Sequence, residues 1–141
     1  MNIGQFVRHG DVIFIKVDDS EVPSEVSRAD KDHPAPNQAV AAYGEVTGHR
    51  HLITASEGVE LNLFEVPGLK NASEMASGRV GNTQDGGLLA DRYLRIVAPE
   101  DAAEAALITH EEHDTIALPT GTFRVRIQKE YSPEAIRNVM D

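Results

Sequence analysis

The residues best equipped for chemistry are six histidines, four of which fall in two close pairs. One pair is His49 and His51 in Gly48-His49-Arg50-His51; the other is His110 and His113 in His110-Glu111-Glu112-His113. On a strand, residues two apart project from the same face with Cα atoms about 7 Å apart. His49 and His51 could therefore converge on one cation. A spacing of three shares a face on a helical turn or a tight loop but falls on opposite faces of a regular strand. His110 and His113 therefore cooperate only if the chain turns between them. Imidazole suits zinc, nickel, copper, iron and manganese, and Glu45, Glu57, Glu111 and Glu112 are near enough in sequence to add an oxygen ligand, a partner for an imidazole N–H, or a general base.

The expected site is a His/Glu centre for a divalent transition metal such as zinc, nickel or manganese. Its ligands are His49, His51, His110 and His113, with Glu45, Glu111 and Tyr131 in support. With an open coordination position, a metal-bound water could perform hydrolytic or lyase chemistry. The competing reading has the four histidines on loops and strand edges, bonded to their surroundings and titrating near neutral pH. His9, between Arg8 and Gly10-Asp11, reads as a turn residue ahead of the first strand, and becomes a ligand only if that strand runs beside the histidine strand. His33, in a polar loop beside Pro34, carries no assigned role.

Composition narrows the field. The 141 residues include no cysteine, which excludes a disulfide scaffold, a thiolate zinc site, an iron–sulfur cluster and a cysteine nucleophile. Any metal must be held by His and carboxylate. With 40% hydrophobic and 26% charged residues the chain reads as one globular domain, residues 1–141. Thirteen Lys plus Arg against 23 Asp plus Glu leave a net charge of −10, which argues against binding nucleic acid through its phosphates. No apolar run approaches the roughly 20 residues of a membrane span, and Met1 to Phe6 lacks signal-peptide character, so the expected location is the cytoplasm, or a virion if a phage encodes the chain.

Short alternating apolar runs bounded by turn residues predict strands. These are Asp11 to Val17, Gln38 to Val46, His49 to Thr54, Val59 to Val66, Tyr93 to Ala98, Thr115 to Leu118 and Thr122 to Tyr131. Pro99 to Ala106 could open a short helix, or its alanines could lead into a strand from Ala106 to His110. Residues 18–37, with Pro23, Pro34 and Pro36, read as a long loop, and residues 68–88, rich in Gly, Asn and Ser, as a flexible arm or flap. Ser132-Pro133-Glu134 resembles an N-cap with a proline at the first helical position. The predicted fold is mainly β: a compact antiparallel barrel or sandwich with a long Gly-rich excursion and a short C-terminal helix.

Gly44, His49-Arg50-His51 and Glu57, together with Pro119-Thr120-Gly121, loosely resemble the two sequence motifs of the cupins, although Arg124 stands where the second motif has its histidine. The analogy is architectural and implies no substrate. The chain is more similar to an uncharacterised family of small bacterial and phage proteins. That resemblance rests on Arg8-His9-Gly10-Asp11-Val12, Gly44-Glu45-Val46-Thr47-Gly48-His49-Arg50-His51, His110-Glu111-Glu112-His113, Leu118-Pro119-Thr120-Gly121 and Gln128-Lys129-Glu130-Tyr131-Ser132-Pro133. It implies that the histidine segments belong to one design, and implies no activity.

No Gly-x-Ser-x-Gly elbow, phosphate loop or His-Glu-x-x-His spacing accompanies these motifs. Arg124 and Arg126 share a strand face, where acidic neighbours are the expected partners. The leading function is therefore metal binding, with an enzymatic role left open. The alternatives are a non-catalytic assembly module, such as a virion decoration protein that self-associates through the arm, and an acidic inhibitor or DNA mimic.

Overall fold

The computed structural model describes residues 1–43, 50–67 and 91–127. Among these residues, ten strands form two antiparallel sheets. Sheet A has the order β1 (Phe6–His9), β2 (Val12–Val17), β10 (Gly121–Ile127), β7 (Arg92–Val97), β6 (Glu60–Glu65), β3 (Ser27–Arg28). Sheet B has the order β4 (Gln38–Tyr43), β5 (Arg50–Ala55), β8 (Ala106–Thr109), β9 (Ile116–Leu118). The two sheets remain separate, so of the two architectures expected the sandwich is the one adopted.

Alternation along the strands builds the core, because successive side chains point to opposite faces. Val12 and Phe14 of β2, Phe123 and Val125 of β10, Leu94 and Ile96 of β7, and Leu61 and Leu63 of β6 meet Ile53 and Ala55 of β5, Ile108 of β8 and Leu118 of β9. Phe14, Phe123, Ile53, Leu63 and Leu94 are fully buried. The opposite face of sheet A carries the charges: Arg126 and Arg124 of β10 lie 2.9 and 3.5 Å from the Asp91 carboxylate.

Most predicted strands are present with shifted ends. Of the two readings of residues 99–110, a short helix or a strand from Ala106, the strand is the one adopted, over Ala106–Thr109. The loop at 18–37 contains β3, which pairs with β6, and two 3₁₀ turns at Asp19–Glu21 and Asp30–Asp32. His9 is no turn residue but the buried last residue of β1, a strand whose few apolar residues did not announce it. The arm at 68–88 and the C-terminal helix fall outside the described residues.

One end of β4 is locked by charge. The extra residue Ala41 makes a β-bulge between Val40, paired with Leu52, and Ala42, paired with His51. A bulge frees backbone groups from the ladder. The buried Arg92 of β7 takes them up, donating to the carbonyls of Val40 and Ala41, and to the Asp32 carboxylate at 2.6 Å. The Tyr43 hydroxyl donates to the other Asp32 oxygen at 3.2 Å.

Candidate metal centre

Four imidazoles from three places in the chain meet at one end of the sandwich. The hairpin β1–β2 turns through only Gly10 and Asp11, with His9 opposite Val12. Gly10 has φ +63° and Asp11 has no positive φ, the pattern of a type II′ turn with glycine first. Cross-strand partners share a face, so His9 points inward with Val12 and is 2% exposed. On β5 the buried residues are His51, Ile53 and Ala55, and this alternation turns His51 into the same interior at 2% exposure. His110 continues the inward series Ala106, Ile108 just beyond β8. The chain then turns, and the Glu112 amide donates to His110 Nδ1 at 3.0 Å. This is the turn the three-residue spacing requires, and it brings the rings of His110 and His113 to 4.6 Å between centroids.

Ring centroids lie 4.4 Å apart for His51 and His110, 5.0 Å for His9 and His51, 5.6 Å for His9 and His113, 5.8 Å for His51 and His113, and 6.3 Å for His9 and His110. Gly10 leaves the room between them: a Cβ there would stand 2.7 Å from His113 Nε2 and 3.0 Å from His51 Cε1. Asp11 reaches the rim, its carboxylate 3.5 Å from His51 Nε2. Glu111 accepts the Arg50 amide at 3.2 Å, tying the His110 loop to the strand of His51.

The hydrogen bonds assign the proton on His9. Its Nε2 lies 2.8 Å from the Asp114 carbonyl, which can only accept, so Nε2 carries the proton. In the neutral ring Nδ1 then holds a lone pair, and that nitrogen lies 2.8 Å from His51 Nδ1, which must donate. Burial, first, holds His9 below the ordinary imidazole range; the Asp114 carbonyl opposes this, and proximity to His51, His113 and His110 adds to it. The environment therefore keeps His9 neutral, the form that binds a metal.

Of the expected site residues, His51, His110 and His113 come together and Glu111 braces their loops. His49, Glu45 and Tyr131 lie outside the described residues. His9 is the member that sequence reading did not place in the site; Gly10-Asp11, a two-residue hairpin signal after it, was the clue. Among the described residues, no three His, Asp or Glu side chains stand as a ready ligand set. A groove of about 600 Å³ lies at the other end of sheet A, lined by Met1, Lys16, Asp19, Arg95 and Gly121 among others, with no histidine in its lining.

No helix among the described residues is long and apolar enough to cross a membrane. A family model described as a domain of unknown function matches residues 8–128, a span that begins one residue before His9 and contains all four clustered histidines. No curated protein and no solved structure matches the chain.

Proposed function

The chain belongs to that family, DUF8820, and from this premise we propose that it binds one divalent transition metal through His9, His51, His110 and His113. The observation that carries the reading is the convergence of four imidazoles, one of them oriented by a backbone carbonyl, on the space kept open by Gly10. A carbonyl or carboxylate holding the far nitrogen of a histidine is the usual support of a metal-ligating ring.

The ring nitrogens of His9 and His51, 2.8 Å apart, share a proton. Two nitrogens on a tetrahedral zinc stand roughly 3.3 Å apart, given Zn–N bonds of about 2.0–2.1 Å. A cation bound here would take the place of the shared proton, which His51 would hold instead on Nε2, 3.5 Å from the Asp11 carboxylate, and would need the two nitrogens about half an ångström further apart. His110 Nδ1 is engaged by the Glu112 amide, so His110 would bind through Nε2 after that contact relaxes. An all-imidazole set favours zinc or nickel, and manganese would need Asp11 as an oxygen donor. Held by all four imidazoles, such an ion would be closed to water and would serve structure; it would supply Lewis acidity to a reaction only if one ring gave up its place.

The test is metal content after loading with zinc and exhaustive dialysis. About one equivalent in the wild type and well under half in His113→Ala is the expected result. Less than about a tenth of an equivalent in a folded wild-type protein overturns the proposal. His113 is exposed, so its replacement spares the core.

A second reading, self-association, is favoured by β1, at the edge of sheet A among the described residues, where Phe6 is 60% and the preceding Ile3 62% exposed. Apolar side chains along a sheet edge invite a second copy. Sedimentation of wild type against Phe6→Lys decides it: a wild-type monomer removes this reading.

A further inference from the structure

Away from the imidazole cluster, the half-buried His33 does a different job. It follows the 3₁₀ turn Asp30–Asp32, and its ring reaches both sheets. Nδ1 lies 2.8 Å from the carbonyl of Gln38, the first residue of β4, and Nε2 lies 3.2 Å from the amide of Leu63 in β6. The carbonyl only accepts and the amide only donates. One form of the ring satisfies both: neutral, with its proton on Nδ1.

The reason for this arrangement is in the ladder. Strand β3 covers β6 only as far as Arg28, opposite Phe64. Beyond it the Ala29 amide donates to the Leu63 carbonyl at 2.8 Å, and the Leu63 amide is left to His33. The Leu63 side chain is fully buried, so its backbone sits where water is a poor substitute. His33 Nε2 acts as the missing carbonyl of a strand that has ended.

We propose that His33 is an acid-sensitive clip between the two sheets: its neutral ring ties the start of β4 to β6, and protonation opens that tie. A proton on Nε2 sets N–H against N–H at Leu63, breaks the bond and leaves a buried amide without its acceptor. The ring is faced by Arg28 from β3, by Asp30 from the 3₁₀ turn, by the Gln38 carbonyl from β4 and by the Leu63 amide from β6. Burial, then Arg28, holds the ring below the ordinary value of 6.5, while the Gln38 carbonyl and Asp30 pull it up.

Because the folded value is depressed, the unfolded chain binds more protons between that value and 6.5. The stability contributed by the clip is therefore complete above 6.5 and is lost as pH falls through the folded value. The opening is local: the neighbouring Asp32–Arg92 pair holds the same segment by a bond that does not involve His33.

Amide exchange and ring ¹⁵N shifts of the labelled protein, from about pH 7.5 to about pH 4.5, test the clip. The expected results are the Nδ1–H tautomer at the upper pH and, after correction for the intrinsic rate, about tenfold faster exchange at Leu63 at the lower. In His33→Gln, whose side-chain amide offers one donor and one acceptor without titrating, Leu63 should stay protected throughout. An Nε2–H tautomer in the wild type, or Leu63 protection independent of pH, overturns the proposal. So does a folded His33→Gln protein with the wild-type pH profile. The wild-type measurements decide the matter even if that variant fails to fold.

Discussion

Two buried polar clusters bridge the sheets, and they differ in how their hydrogen-bonding groups are matched. In one, the charge of Arg92 meets that of Asp32, and its remaining donors fill the carbonyls freed by the bulge at Val40 and Ala41. Burial, and then Asp32, push the Tyr43 phenol above its ordinary value, so it stays protonated and donates. In the other, four imidazoles crowd together, and His9 and His51 bond through a single proton between two nitrogens. Matched charges make a clamp that needs nothing added. The crowded rings, joined by that one proton, are where the proposed cation would sit.

Breaking the clamp should have the largest effect. Arg92→Ala leaves the Asp32 carboxylate and two carbonyls without their partner, and buried pairs broken on one side cost about 3 to 5 kcal/mol. Urea denaturation of the variant checks this, and a loss below about 1 kcal/mol would mean the clamp is open to water. Zinc should separate the two regions next: at free zinc a hundredfold above Kd, binding adds about 2.7 kcal/mol to the wild type and to any folded clamp variant, and nothing to His113→Ala. Equal shifts in all three proteins would break the comparison.

Gly10→Ala comes third. A side chain at positive φ costs about 1–2 kcal/mol in any protein. Here the Cβ also invades the space beside His113 and His51, so metal content should fall together with the melting temperature. A variant that is destabilised yet still loads zinc would remove Gly10 from the site. The smallest effect is in pH. His9 has a depressed pKa, so without metal the stability of the folded state should rise with pH between that value and 6.5, by up to one proton's worth of slope. His9→Asn should remove the His9 share of the slope and leave that of His33, whereas Arg92→Met should leave both.

Much of this was legible in the residues. The alternation in Val12 to Val17 and in Thr122 to Ile127 marks strands, and the two close pairs drew attention to the histidines, of which His51, His110 and His113 meet. The weaker signals were the short ones. Phe6 to His9 has too few apolar residues to announce a strand, yet it pairs with β2 across a two-residue turn and carries His9 inward. His33, in a loop read as featureless, is held by backbone groups of two sheets, which no local pattern encodes.

By itself, the sequence determined the chemistry available: no thiol, six imidazoles, and alternating strands that would turn one set of side chains inward. Only the tertiary structure decided which imidazoles meet. The period of two along a strand sets the face a residue takes, but not the strand it faces. That choice depends on pairings such as β2 with β10 and β5 with β8, made between residues far apart in the chain. The pairing of hairpin and sheets put His9 beside His51, and left His33 to finish an edge that β3 does not reach.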